Sequence, residues 1–456
     1  MNSVFTASAK EVVHLHIVSS DEFENWNKTQ DDRVKNFIEG MGFSGQVGKL
    51  VLIPNTDGKI ENVAFGIGEA EDALVLANAS SSLPEGSYEI ATQSEKLSLE
   101  QVYAGWADGA YRFTRYKKDS STPPMLVVND KVAREAAQIE EASIKLVRDL
   151  INTPAEDMGP TQIAQTIVEL GEEFGADTSQ IIGDDLLAEN YPMVHAVGRA
   201  AADAPRYIEL SWGNKKSPHI ALVGKGVAFD TGGLNIKTGN YMRIMKKDMG
   251  GAAHAIGLAR MIMASKLDVY LTLHIPTVEN AVGAGAFRPG DVLDSRKGIT
   301  VEIDNTDAEG RLILADALTR ASELKPDLLL DFATLTGAAR VALGTEVAPF
   351  FATDDVFSGE LSQSACDVGD PIWRLPLWKS YLSMMKSSIA DIVNGAASPF
   401  AGTITAALFL QKFVDVKSWA HFDVWGWRLG KYGRPEGGAA FALRAVMNHL
   451  KQKYQK

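Results

Sequence analysis

The stretch "ITVEIDNTDAEGRLILADALTRASELKPDLLLDFA" (299–333) decides the fold class. "ITVEID" reads as a strand, "GRLILADALTRASEL" as a helix and "PDLLLDFA" as a strand again. The alternation continues in the flanking sequence. "HIALVGKG" runs from strand to loop, "DMGGAAHAIGLARMIMASK" is a helix, and "LDVYLTLHIP" is a strand. Strands alternating with helices predict an α/β sheet with helices on its faces. In such folds ligand sites gather at the carboxyl ends of the strands. Glycine-rich breaks at 224–226, 232–233, 250–251 and 283–285 fall near those ends.

A chain of 456 residues is too long for one ordinary core. The first part reads as a smaller α/β domain, residues 1–125. "VVHLHIV" (12–18) is a buried strand, and "KLVLIPNTDGKIENVAFGIG" (49–68) is two strands joined at Asp57-Gly58. A Ser98/Gln101 capping pair opens a helix, with "YRFTRYKK" (111–118) as its solvated basic end. The polar, proline-rich "DSSTPPM" (119–125) closes the unit. A linker strand and a bridging helix, stopped by Pro154, occupy 126–152, and a larger C-terminal domain with a mixed sheet flanked by helices occupies 153–456.

Composition removes several classes. Hydrophobic content of 45% with 23% charged residues is ordinary for a globular protein. No apolar run is long enough to cross a bilayer, and the N-terminus has no signal-peptide pattern. The single cysteine, Cys366, permits no internal disulfide and fits a reducing cytoplasm. A formal charge of −13 disfavours nonspecific binding to nucleic acid or an anionic membrane. There is no HExxH, CxxC or GxSxG. "VGKGVAF" lacks the spacing of a phosphate loop or a dinucleotide fingerprint, which argues against ATP and NAD.

What remains is a set of acids at strand ends. Lys225 follows an apolar strand, Asp230 ends "VAFD", Asp248 opens a glycine-rich helix, and Asp307 and Glu309 stand where a strand gives way to a helix. In extended chain, residues two apart share a face, so Asp307 and Glu309 can aim into one pocket with Arg311 following. Taken singly, each acid is an ordinary cap or turn residue, and Asp316 reads as a helix-face residue. Taken together they are a problem of charge. Two carboxylates about 4 Å apart repel by roughly 4 kcal/mol at an effective dielectric of ~20. Four in one cleft require protonation or cations, and two divalent cations would balance them. Oxygen-rich ligation suits Mg²⁺ or Mn²⁺, and Zn²⁺ also accepts carboxylates.

"NTDAEGRL" (305–312) together with "VGKGVAFDTGG", a following lysine and "DMGGAA" resembles the leucyl (cytosol) aminopeptidase family of dinuclear metallo-exopeptidases. "LINTPAEDMGPTQIA" (150–164), "VENAVGAGAFRPGDVL" (278–293), "DFATLTGAARVALG" (331–344), "SSIADIVN" (387–394) and "AGTITAALFLQKFV" (401–414) are similar to family segments in the same order. The resemblance implies two divalent metal ions per subunit, zinc or manganese first and magnesium or cobalt as alternatives. Asp230 and Glu309 would bridge the ions, Asp307 would hold one, and Lys225 and Asp248 the other. Lys237 matches the catalytic lysine, and Arg311 the arginine that holds a bicarbonate general base. Met245, Thr334, Leu335 and Gly337 fall at the pocket for the first side chain. The implied substrates are peptides with a free N-terminus, and the implied assembly is a homo-hexamer. As a metal ligand Lys225 must be neutral, which costs about 3 kcal/mol near pH 8 unless a dication assists.

The sequence departs from the family at two places. Thr238 follows the catalytic-type lysine where many relatives carry proline, and "GNYMRIMKKDMGG" places three basic residues close to the site. These changes are expected to alter loop rigidity and residue preference. Alternative readings are a dipeptidase or peptidase B-like exopeptidase, and a member with an added DNA-binding regulatory role, against which the acidic balance argues.

Overall fold

A computed structural model of the chain describes residues 3–117, 121–396, 398–431 and 433–455. Two compact units emerge. The first comprises residues 1–145, 367–369 and 429–436, and the second the remainder.

The first unit is built on a six-stranded sheet in the order Phe5–Thr6, Met125–Val127, Ser87–Thr92, Val13–Ser19, Ile60–Gly68, Leu50–Pro54. All pairings are parallel except the last, which is the hairpin expected at Asp57-Gly58. Gly58 has φ +79°, a left-handed conformation suited to glycine in so tight a turn. Leu15, Ile17, Val63, Phe65 and Ile67 form the sheet's contribution to a core that also takes in Val102 and Trp106 of helix Leu99–Ala110. The capping box at Ser98 and Gln101 is present, with both reciprocal bonds made.

Two features of this unit differ from the sequence reading. The helix stops at Ala110 because Tyr111 turns extended, and Arg112 donates from Nη1 to the Gly109 carbonyl at 2.8 Å. The basic run 111–117 therefore follows the helix rather than forming its end; Lys118, with Asp119 and Ser120 of the proline-rich segment, lies outside the described residues. The strand Met125–Val127 pairs on both sides within the first sheet, so it is part of that unit and not a linker. The helix Lys131–Asn152 is shared, with residues to 145 counted in the first unit and those from 146 in the second.

The second unit is organised by a nine-stranded mixed sheet. Its path runs Ile372–Arg374, Ala348–Ala352, Trp419–Asp423, Leu328–Ala333, His219–Gly224, Tyr270–Asn280, Arg206–Gly213, Asp177–Ile182, with Gly226–Asp230 also paired to Tyr270–Asn280. The four central strands are mutually parallel and the flanks carry antiparallel pairs. Ala221, Val223 and Leu329 join one core with Leu312, Ala315 and Leu318 of helix Gly310–Glu323. Strand alternation turns Ile220, Leu222 and Leu330 to the opposite face. Helix Gly250–Ala264 also packs on His219–Gly224 and Leu328–Ala333.

One strand of the opening stretch is placed differently. "ITVEID" yields only Val301–Glu302, which pairs with Val292–Leu293 and Ile392–Val393 in a separate three-stranded sheet. The chain from 304 to 309 is a turn, so pleat alternation is not what brings Asp307 and Glu309 together.

Asp316, on helix Gly310–Glu323, is fully buried and structural. It accepts backbone N–H bonds from Met193 (2.8 Å), Val194 (3.3 Å) and Arg296 (2.8 Å), capping helix Pro192–Gly198. Asp316→Ala strands these amides and is expected to cost ~3 kcal/mol, read as a thermal midpoint lowered by a few degrees. An unchanged midpoint would show that the amides find other acceptors.

Candidate metal centre

Strand ends deliver the polar groups. Lys225 follows His219–Gly224, Asp230 ends Gly226–Asp230, and Thr334 follows Leu328–Ala333. Asp248 sits in the 3₁₀ turn Met245–Met249 that leads into helix Gly250–Ala264, and Glu309 immediately precedes helix Gly310–Glu323. These segments converge. Carboxylate oxygens of Asp230, Asp307 and Glu309 all lie within 4.8 Å of one another. Lys225 Nζ is 2.6 Å from Asp248 Oδ2 and 3.0 Å from Glu309 Oε1, and donates to the Thr334 carbonyl at 2.9 Å. Lys237 Nζ lies between Asp230 Oδ2 (2.7 Å) and Asp307 Oδ1 (2.5 Å).

Local chemistry explains how the chain folds into this shape. The Lys225 side chain crosses directly over Gly310, where a Cβ would meet Lys225 Cε at 2.3 Å. Gly232 has φ +88°, and a Cβ there would meet the Lys237 amide at 2.9 Å and Asp307 Oδ1 at 3.0 Å. Both positions therefore exclude larger residues. Asp230 Oδ1 accepts from the Gly232 amide and from Asn280 Nδ2, each at 2.8 Å.

Sequence reasoning missed the residues that hold the turn. Asn280 also donates to the Thr306 carbonyl at 3.0 Å. Asn394 Oδ1 accepts from the Asp304 and Asn305 amides, while its Nδ2 donates to the Asn305 carbonyl. Thr306 Oγ1 donates to the Gly232 carbonyl at 2.6 Å. Asp423 accepts from the amides of Leu335 and Thr336 and from the hydroxyls of Thr336 and Thr403, which fixes the loop after Leu328–Ala333. A buried side-chain amide in a turn was the available signal, but its partner lies far away in sequence.

The charges are strained in the expected direction. Burial pushes the Glu309 carboxyl up to about 8, with repulsion from Asp230 adding to it. Burial and Asp230 push Asp307 up to about 6 against the pull of Lys237. Asp248 goes the other way: burial would raise it, but Lys225 and Lys247 hold it below the usual range. Lys225 is the point of disagreement with the expected neutral ligand. Burial opposes its charge, yet Asp248, Glu309 and Asp230 outweigh burial and hold its pKa above the ordinary value. Among carboxylates alone the ammonium is favoured, so a dication must displace its proton before the amine can ligate.

The residues fit divalent cations. Glu309 Oε2 is buried and makes no hydrogen bond among the described residues. The donor set is four carboxylates and an amine, mostly hard oxygen. Arg311 is buried, donates from Nη1 to the Asn394 carbonyl at 2.6 Å, and leaves Nε without an acceptor. Met245 and Thr334 are buried, Leu335 is half-buried and Gly337 exposed; Thr334 Oγ1 also donates to Asp248 Oδ1 at 2.9 Å.

Comparison with known proteins identifies the family. A family model described as the cytosol aminopeptidase family, catalytic domain, matches residues 145–447, and one for the M17 aminopeptidase N-terminal domain matches 13–129. A probable cytosol aminopeptidase of Syntrophotalea carbinolica is 38% identical over 83% of this chain and 78% of its own length. Another, of Chlamydia caviae, is 37% identical over 78% and 76%. The crystal structure of cytosol aminopeptidase from Coxiella burnetii superposes with a TM-score of 0.94 at 43% identity, covering 99% of this chain and 100% of that one. The bottromycin maturation enzyme BotP in complex with Mn gives 0.87 at 32% identity, covering 97% and 99%. Both halves of the chain match in order and nearly throughout, and the chain belongs to the cytosol aminopeptidase family of peptide hydrolases.

Proposed function

We propose that this protein removes the N-terminal residue from peptides using two divalent cations held by Lys225, Asp230, Asp248, Asp307 and Glu309. The observation that carries the reading is the cluster itself, in which the buried carboxylates of Asp230 and Glu309 and the half-buried one of Asp307 lie within 4.8 Å of one another. Asp230, Asp248, Asp307 and Glu309 would supply carboxylate ligands and Lys225 a neutral amine. Zinc or manganese is the expected metal, with magnesium and cobalt as alternatives; the manganese complex of BotP, a relative at 32% identity, supports this range.

The chemistry that bound dications supply is polarisation of the scissile carbonyl and a water nucleophile active near neutral pH. The chain's own groups do the rest. Asp248 accepts a hydrogen bond from the substrate's free α-amine, so a blocked N-terminus loses its anchor. Burial opposes charge on Lys237, but Asp230 and Asp307 keep it protonated. Its ammonium can then donate to the carbonyl oxygen as negative charge develops there. Arg311, with its buried and unmatched Nε, would hold a bicarbonate that supplies a general base. Met245, Thr334, Leu335 and Gly337 would border the first side chain. We further propose a cytoplasmic homo-hexamer, an assembly supported by the exposed apolar side chains of Val341, Trp373, Trp378, Ile389 and Phe400.

Removing the metals with chelator is expected to abolish aminopeptidase activity. Reconstitution with Zn²⁺, Mn²⁺, Mg²⁺ or Co²⁺ in turn should restore it, more strongly with added bicarbonate. Activity that survives complete chelation would overturn the reading. Lys237→Ala should lower kcat by about 10²–10³-fold with metal content unchanged. Equal turnover would remove Lys237 from the mechanism.

Metal uptake should also release protons. Glu309 and Asp307 are held partly protonated, at about 8 and about 6, and Lys225 carries its own proton. Apparent metal affinity should therefore fall as pH drops from about 8 to about 6, up to tenfold per unit for each proton released. Titration calorimetry in buffers of different ionisation enthalpy counts those protons. Affinity independent of pH would contradict the proposed charge balance. The metal-free protein should show the opposite trend. A carboxyl with a raised folded pKa stabilises below its unfolded value and loses that contribution as pH rises through the folded one.

A further inference from the structure

We infer that the pocket for the substrate's first side chain selects an acidic residue, Asp or Glu, through Arg340 and Trp425. The inference rests on the aminopeptidase reading and names the substrate class of the same site.

Two chain segments meet beside Thr334. Gly426, at φ +69°, runs beside Thr334; a Cβ there would meet Thr334 Cγ2 at 3.2 Å and Gly250 Cα at 3.6 Å. Trp425 immediately precedes it and so enters the same neighbourhood. Helix Gly337–Leu343 begins at the pocket, and a Cβ on Gly337 would meet Arg340 Nη2 at 3.5 Å. The Arg340 guanidinium carbon lies 5.2 Å from the centre of the Trp425 ring. Thr334, Gly337, Arg340 and Trp425 thus border one place, next to Asp248, whose carboxylate receives the Thr334 hydroxyl.

The polarity of this place is one-sided. Trp425 Nε1 is buried and donates to nothing among the described residues. Arg340 stacks on the indole and, among the described residues, has neither a carboxylate partner nor a side-chain hydrogen bond. Lys247, two positions after Met245, is 5% exposed, and its nearest anion is Asp248 Oδ1 at 3.5 Å. Arg340 is among the cations that act on it. A pocket built for leucine has no use for an unmatched indole N–H beside a stacked guanidinium. A side-chain carboxylate satisfies both, and the same groups repel lysine and arginine.

The test uses metal-loaded protein and aminoacyl-4-nitroanilides of Glu, Asp, Leu and Lys, in which the only carboxylate is that of the side chain. The expected kcat/KM for Glu or Asp exceeds that for Leu by about tenfold or more, with Lys lowest. Arg340→Met should cut the Glu-to-Leu ratio at least about tenfold, mainly through KM, and Trp425→Phe, which removes only the N–H and part of the ring, by a few-fold. Preference for Leu, with a ratio that neither variant moves, would overturn the acidic pocket and leave the aminopeptidase reading standing. Failure to hydrolyse any of the four substrates would strike the aminopeptidase reading itself, and this inference with it.

Discussion

Four carboxylates cannot share a buried space without positive charge among them, and the architecture of the second unit follows from that constraint. Asp230, Asp248 and the Asp307/Glu309 turn are three separate segments, yet Asp230, Asp307 and Glu309 place oxygens within 4.8 Å of one another. Two lysines lie inside the cluster, Lys225 against Asp248 and Glu309 and Lys237 between Asp230 and Asp307. Even so, burial and mutual repulsion leave Glu309 and Asp307 well above the ordinary carboxylate range. The site carries more negative charge than its own cations comfortably balance, and dications are the natural complement.

The sheet supplies the rigidity that keeps such a cluster from relaxing. Central parallel strands end on one side, where Lys225 and Thr334 directly follow them and Asp230 closes the short strand Gly226–Asp230. Gly310 and Gly232 permit close approach where a methyl group would collide with Lys225 or with the Lys237 backbone. Asn280, Asn394, Thr306 and Asp423 bind the loops to one another through buried and partly buried hydrogen bonds. Removing any one would leave its amide or carbonyl partners unmatched in the interior.

Much of this was legible in the sequence, and the failures are instructive. The alternation of helices and strands in the second unit, the Asp57-Gly58 hairpin and the Ser98 capping box are local signals, and the folded chain contains all three. The five proposed metal-binding groups, read together from segments up to 84 residues apart by number, do come together in space. Asp307 and Glu309 reach the site by a different route from the one their two-residue spacing suggests. They converge through a turn held by Asn394, some 85 residues away from Glu309, and not through strand pleat. Long-range hydrogen bonds of this kind leave no periodic trace. The basic run after Tyr111 misled for the opposite reason: its composition suits a helix end, but a single extended residue stops the helix first.

The central claim is that Lys225, Asp230, Asp248, Asp307 and Glu309 surround a pair of dications. Anomalous diffraction from crystals grown with Mn²⁺, collected on both sides of the manganese edge, tests it most directly. Two anomalous peaks are expected within this cluster, with Lys225 and Lys237 no longer paired to the same carboxylate oxygens. No peak there, with both lysines still bound to Asp230, Asp248, Asp307 and Glu309, would contradict it.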